Sequence, residues 1–66
     1  MTGKIKAMTA AQFKAWRKRM ELSQEKAAAL LGVTQNAIYQ WEAGRRAVSG
    51  PVTRLCKMIE DQRVAA

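Results

Sequence analysis

Apolar residues recur at helical spacing in four short bursts between residues 9 and 62, each introduced or closed by a capping or turn residue. The first is Phe13, Trp16 and Met20. Thr9 stands ahead of it as a cap, and Gln12, three residues on, is placed to reach back to the Thr9 amide. A helix is predicted from Thr9 to near Glu21, with Lys14, Lys18 and Arg19 mostly outside its apolar stripe. Ser23 then caps a second helix, Gln24 to about Leu31, whose apolar positions Ala27, Ala28, Leu30 and Leu31 are mostly small on one side and so admit a neighbouring helix closely. Gly32 supplies a permissive turn and Val33 fills the corner. Thr34 caps a third helix, Gln35 to about Ala43, which Gly44 stops. Ala37, Ile38 and Trp41 share one of its faces, and Gln35, Asn36, Tyr39 and Gln40 the other. After a basic loop, Arg45 to Gly50, Pro51 fits the first position of a fourth helix. That helix buries Val52, Leu55, Cys56 and Ile59, with Met58 beside them, and ends near Gln62. Met20 and Met58 read as gap fillers, and Trp16 and Trp41 as core residues rather than stacking platforms.

This pattern predicts an all-α, compact four-helix domain over residues 9–62, with room for at most a short fifth helix. Residues 1–8 read as a flexible basic N-terminal tail and residues 63–66 as a frayed C-terminus. A chain of 66 residues holds one domain, and so small a core is marginal unless well idealised or shared with a partner. The two central helices, joined at Gly32, have the spacing of a helix-turn-helix, in which the second helix enters the major groove.

Charge narrows the partner. Twelve Lys and Arg stand against 5 acidic residues, a net +7, and 48% hydrophobic content is too high for a disordered basic tail. A folded domain with this excess is expected to hold a polyanion through phosphate contacts and counterion release. With one Cys and no His, zinc-finger metal sites and an intramolecular disulfide are excluded, and Ser–His or Cys–His catalysis has no base. No catalytic residues, metal or cofactor are expected. No run of about eighteen apolar residues marks a membrane span. The lone thiol of Cys56 fits a reducing cytoplasm and inert packing.

Major-groove readout needs side chains that donate and accept in one plane, and Gln and Asn do so against adenine. Gln35 and Asn36 occupy the first turn of the third helix, the end that points into the groove, and Gln40 follows Asn36 by one turn on the same side. Tyr39 adds an aromatic or hydroxyl contact. The expected base readers are therefore Gln35, Asn36, Tyr39 and Gln40. Gln24, at the amide-rich start of the second helix, Thr34, Arg45 and Arg46 are the expected phosphate contacts.

The segment LSQEKAAALLGVTQNAIYQWEAGRR, with FKAWRKRM before it and GPVTRLCKMIE after, resembles the phage-repressor and Cro-like helix-turn-helix family, the xenobiotic-response-element type. The LSQ start, the LGV turn and the I-x-x-WE-x-G ending together are specific, and the resemblance covers residues 9 to 62. It implies an all-α domain of four or five helices that binds operators as a dimer. By position, Gln24 resembles the family's backbone-contacting glutamine, and Gln35, Asn36 and Gln40 its base-reading positions. Arg17 and Glu42 match a structural ion pair tying the first helix to the third. Two features depart from the family. Lys26 stands where a capping-box Glu or Gln is expected, and the chain offers no full fifth helix, which often serves dimerisation.

The function this implies is a cytoplasmic regulator of transcription that binds double-stranded DNA. It is expected to repress its own operon as a homodimer on an inverted repeat. Resemblance to compact phage and toxin–antitoxin regulators supplies an alternative, an antitoxin-type module that binds and neutralises a toxin protein. A third class, a membrane-surface amphipathic peptide suggested by Trp16 among basic residues, is opposed by the caps and the Gly32 turn.

Overall fold

The computed structural model of the protein describes residues 7–65, with side-chain surroundings for 7–63. It contains four helices and, among the described residues, no strand: α1 Ala10–Arg19, α2 Gln24–Leu31, α3 Gln35–Glu42 and α4 Gly50–Ala65. Each of the first three starts at a hydroxyl cap. Thr9 Oγ1 accepts from the Gln12 amide while Gln12 Oε1 accepts from the Thr9 amide, the full capping box. Ser23 accepts from the Lys26 amide alone, because a lysine cannot return the bond, and Thr34 accepts from the Ala37 amide. Ser49 Oγ accepts from the Val52 amide at the start of α4, which places Gly50 and Pro51 in its first turn.

The ends are as specific as the starts. α1 stops because Glu21 takes a left-handed conformation (φ 58°), and Leu22 N–H closes on the Arg17 carbonyl at 3.1 Å. α2 ends at Gly32 (φ 72°), where an added Cβ meets nothing within 4 Å; the glycine is required by backbone conformation, not by space. At the end of α3, Gly44 (φ 76°) lets Arg45 N–H reach the Gln40 carbonyl at 2.9 Å.

The core joins all four helices and one loop. Phe13, Trp16 and Met20 of the first helical segment pack with Ala27, Ala28 and Leu31, with Ile38 and Trp41, and with Val48 and Cys56. The Phe13 ring meets Trp41 edge-on, centroids 5.4 Å apart, and lies tilted against Trp16 at 5.7 Å. Trp16 Nε1 donates to the Cys56 carbonyl at 3.1 Å, so the buried indole leaves no orphan donor. Burial pushes the Cys56 thiol up to about 11, with Glu60 adding to the shift.

Several positions differ from the sequence expectation. Leu30 and Met58 are exposed, at 48% and 52%, and neither fills the core. Helical spacing admitted them to the apolar stripes, but only the direction of the neighbouring helices decides which edge of a stripe is covered. Val48, placed in a basic loop by its neighbours, is buried instead. α4 runs to Ala65, three residues past its expected end at Gln62, and Arg63 donates across to the Met20 carbonyl at 2.8 Å. Arg19 and Glu60 form a bidentate pair nearby, at 3.0 and 3.1 Å. Met8, read as part of the tail, packs on the core, and its amide donates to Thr53 Oγ1 at 3.1 Å. Thr53 is itself buried and donates to the Ser49 carbonyl. Residues 1–6 of the expected tail, and Ala66, lie outside the described residues.

Candidate nucleic-acid interface

α3 is divided sharply along its length. Ile38 and Trp41 are buried and Ala37 is half-buried against the core, while Gln35, Asn36 and Tyr39 are exposed and Gln40 is half-buried. The outward side chains form two columns at i, i+4, Gln35 over Tyr39 and Asn36 over Gln40, about 6 Å apart along the axis. Ala43, small and exposed, lies one turn beyond and leaves the face open. Two adjacent amide side chains at the N-terminal turn thus present paired donors and acceptors outward, the requirement for reading a base edge.

Three surrounding features hold this helix at a fixed attitude. Its N-terminus follows the Gly32 turn, where Val33 N–H bonds the Ala28 carbonyl and Val33 packs on the core. Its buried edge rests on Phe13 of α1. Its last residue, Glu42, accepts from Arg17 Nε at 2.5 Å and from Arg17 Nη2 at 3.0 Å, a fork-to-fork contact between α1 and α3. Arg17 also donates to the Leu22 carbonyl at 3.0 Å, which fixes the turn leading into α2.

Gln24 joins the same cluster. Its Nε2 donates to Glu42 Oε1 at 3.2 Å, so one carboxylate receives hydrogen bonds from two helices at once, from the last turn of α1 through Arg17 and from the start of α2 through Gln24. Sequence reasoning assigned Gln24 to phosphate and did not find this bond, because nothing in spacing links residue 24 to residue 42. A primary amide carries two N–H donors, and the second remains available. Glu42 therefore sets which end of the Gln24 amide is held inward.

Burial pushes the Glu42 carboxyl up, but hydrogen bonds from Arg17 and Gln24 and the nearby positive charges outweigh it and leave its pKa below the usual 4.5. A depressed folded-state value means the stabilisation is fully present above the unfolded carboxyl's pKa and is lost as pH falls through the folded value. Stability is thus expected to be level near neutrality and to fall below about pH 4.3. Urea midpoints measured from pH 7 to pH 3 check this, and Glu42→Gln is expected to flatten that acid limb.

The expected phosphate contacts occupy open surface. Thr34, Arg45 and Arg46 are exposed, and neither arginine has an acidic partner among the described residues. The Thr34 oxygen accepts in the cap, which leaves its hydroxyl proton free to donate outward. Arg45 and Arg46 follow directly on the Gly44 turn, so they flank the C-terminal end of α3 while the amides stand at the other.

A helix-turn-helix family model matches residues 13–52, from within α1 through α2, the turn and α3 to the first turn of α4. The chain belongs to the Cro/C1-type helix-turn-helix family. The family is one of DNA-binding regulatory domains, and the match supports a DNA-binding helix-turn-helix in this chain. A comparison with curated proteins finds no match. Among the described residues no helix is long and apolar enough to cross a membrane.

Proposed function

We propose that this helix-turn-helix protein represses its own operon, acting as a homodimer on an inverted repeat in cytoplasmic DNA. The observation that carries the reading is the division of α3: Ile38 and Trp41 anchored inside, Gln35, Asn36 and Tyr39 offered outside. α3 lies in the major groove, with Gln35, Asn36, Tyr39 and Gln40 against base edges. Gln24, Thr34, Arg45 and Arg46 hold phosphates on either side and set the register. Two copies place their α3 helices about 34 Å apart, one turn of DNA, and a promoter covered in this way excludes polymerase.

Selection of binding sites from a pool of random duplexes tests the reading. An enriched inverted repeat is the expected result. A single enriched half-site keeps the base-reading face but removes the dimer. Retention at low salt with no enriched sequence means that charge alone drives binding, and a protein partner such as a toxin becomes the favoured occupant.

On the selected site, Gln35→Ala and Asn36→Ala are each expected to lose about 1–3 kcal/mol and to relax preference at one base position. Arg45→Ala is expected to weaken all duplexes alike and to reduce the salt slope by about one. Fluorescence titrations on cognate and scrambled duplexes at several salt concentrations separate the two classes. Equal losses on every sequence for both would remove the base-reading assignment.

A further inference from the structure

The outward face of α4 has an order that the single chain does not use. Pro51, Arg54, Met58 and Asp61 recur along it and all are exposed. Met58 exposes 52% of its surface, among the largest apolar exposures on the molecule. Glu60, its near neighbour, is taken by Arg19, but neither Arg54 nor Asp61 joins an ion pair among the described residues. Unpaired guanidinium and unpaired carboxylate therefore sit on the same helix with an uncovered thioether between them.

Their spacing is symmetric. Arg54 precedes Met58 by four residues and Asp61 follows it by three, so the charges stand about 6 Å and about 4.5 Å from it along the axis, in opposite directions. At about 100° per residue both fall on one flank of Met58, within about 20° of each other. A two-fold axis beside Met58, normal to the helix, generates an antiparallel copy in which Arg54 of each chain lies opposite Asp61 of the other. The same operation brings the two Met58 side chains together at the centre. A patch that complements itself in this way is what an isologous interface requires. Lys57 lies further round on that flank, where Glu60 one turn on feels its charge.

We propose that α4 is the homodimer seam of this protein, formed by antiparallel packing of α4 on α4 of a second copy. The two Met58 side chains meet at its centre, and two reciprocal Arg54–Asp61 pairs close one edge. The inference rests on the homodimer reading above and adds to it the surface through which the two copies meet. One helix face buries less than the roughly 1,200 Å² of a stable standard interface. The dimer is accordingly weak in free solution and completes itself on DNA, where the duplex holds two copies side by side.

Charge exchange tests the seam. The full chain is studied by sedimentation equilibrium at low salt, as wild type, Arg54→Asp, Asp61→Arg, the double exchange, and an equimolar mixture of the two single variants. Either single change opposes like charges at both pairs, and is expected to weaken self-association by at least about tenfold. The double exchange restores opposite charges and is expected to regain the wild-type constant. In the mixture, one chain carries two carboxylates and the other two basic groups, and a heterodimer at wild-type strength is expected. Thermal melts unchanged from wild type establish that the exposed substitutions leave the fold intact. Single variants that associate as well as wild type, or a mixture that stays monomeric, would overturn the seam while leaving the homodimer standing. A wild-type chain that is monomeric in solution and also occupies a selected inverted repeat one copy at a time would overturn the homodimer reading itself, and the seam with it.

Discussion

Replacing Glu42 by Ala is expected to remove about 3–5 kcal/mol of stability, enough to leave much of a domain this small unfolded at room temperature. The pair it breaks is nearly sealed from water, with side-chain exposure of 13% for Arg17 and 6% for Glu42. Without the carboxylate, a guanidinium stays desolvated with one carbonyl acceptor, that of Leu22, and the Gln24 amide loses its inward partner. Circular-dichroism melts and urea titrations measure the loss. Arg17→Met combined with Glu42→Leu is expected to recover most of it, because packed apolar side chains replace a buried pair at little cost. That recovery is a test of mechanism: a double variant as unstable as the single one would mean that packing around residue 42, not charge left unpaired, sets the loss. The recovered protein still lacks the acceptor that orients Gln24. Its DNA affinity is expected to stay below wild type on every sequence, a signature of a lost phosphate contact rather than of a lost base contact.

Trp16→Ala is the second large effect, about 3–5 kcal/mol. The indole is almost wholly buried, touches Phe13, and bonds the backbone of α4 at Cys56. Truncation opens a cavity between α1 and α4 and removes the indole's hydrogen bond to the Cys56 carbonyl. Trp16→Phe keeps most of the apolar volume and loses the hydrogen bond, so it is expected to cost less, about 1–2 kcal/mol. The contrast between the two, read from urea midpoints, divides packing from hydrogen bonding. A Phe variant as weak as the Ala variant would place the whole effect on the Nε1–H bond.

Both changes lie away from Gln35 and Asn36, yet both are expected to weaken DNA binding through the attitude of α3. Gln35 and Asn36 have little to hold them individually; they are exposed side chains on a helix of eight residues. A helix of that length has no independent stability in water. Its direction comes from Ile38 and Trp41 in the core, from the Gly32 turn, and from the Glu42 carboxylate at its far end.

Much of this was legible in the chain. The starts of α1, α2 and α3 at Thr9, Ser23 and Thr34 follow from hydroxyls three residues ahead of an amide they can accept from, and all three caps form. Glycines at 32 and 44 mark left-handed turns because that backbone is cheap only for glycine, and both take it. The amphipathic split of α3 is likewise a matter of periodicity. These are local properties: each depends on residues within one or two turns, so sequence order is enough to state them.

What only the tertiary structure decided is long-range or directional. Leu30 and Met58 sit at the edge of apolar stripes, and whether an edge is covered depends on how the next helix crosses. Val48 carries no periodic signal inside a polar loop, and Thr53 looks like any helical threonine until Met8 arrives at its hydroxyl. Gln24 and Glu42 are separated by eighteen positions and meet only because the Gly32 turn folds α3 back beside the start of α2. The sequence by itself determined where the first three helices begin and which amides α3 turns outward, since backbone caps and 3.6-residue periodicity are set by near neighbours. The tertiary structure alone decided which carboxylate holds Gln24 and Arg17 together and which apolar side chains stay uncovered, since both depend on surfaces brought together from distant parts of the chain.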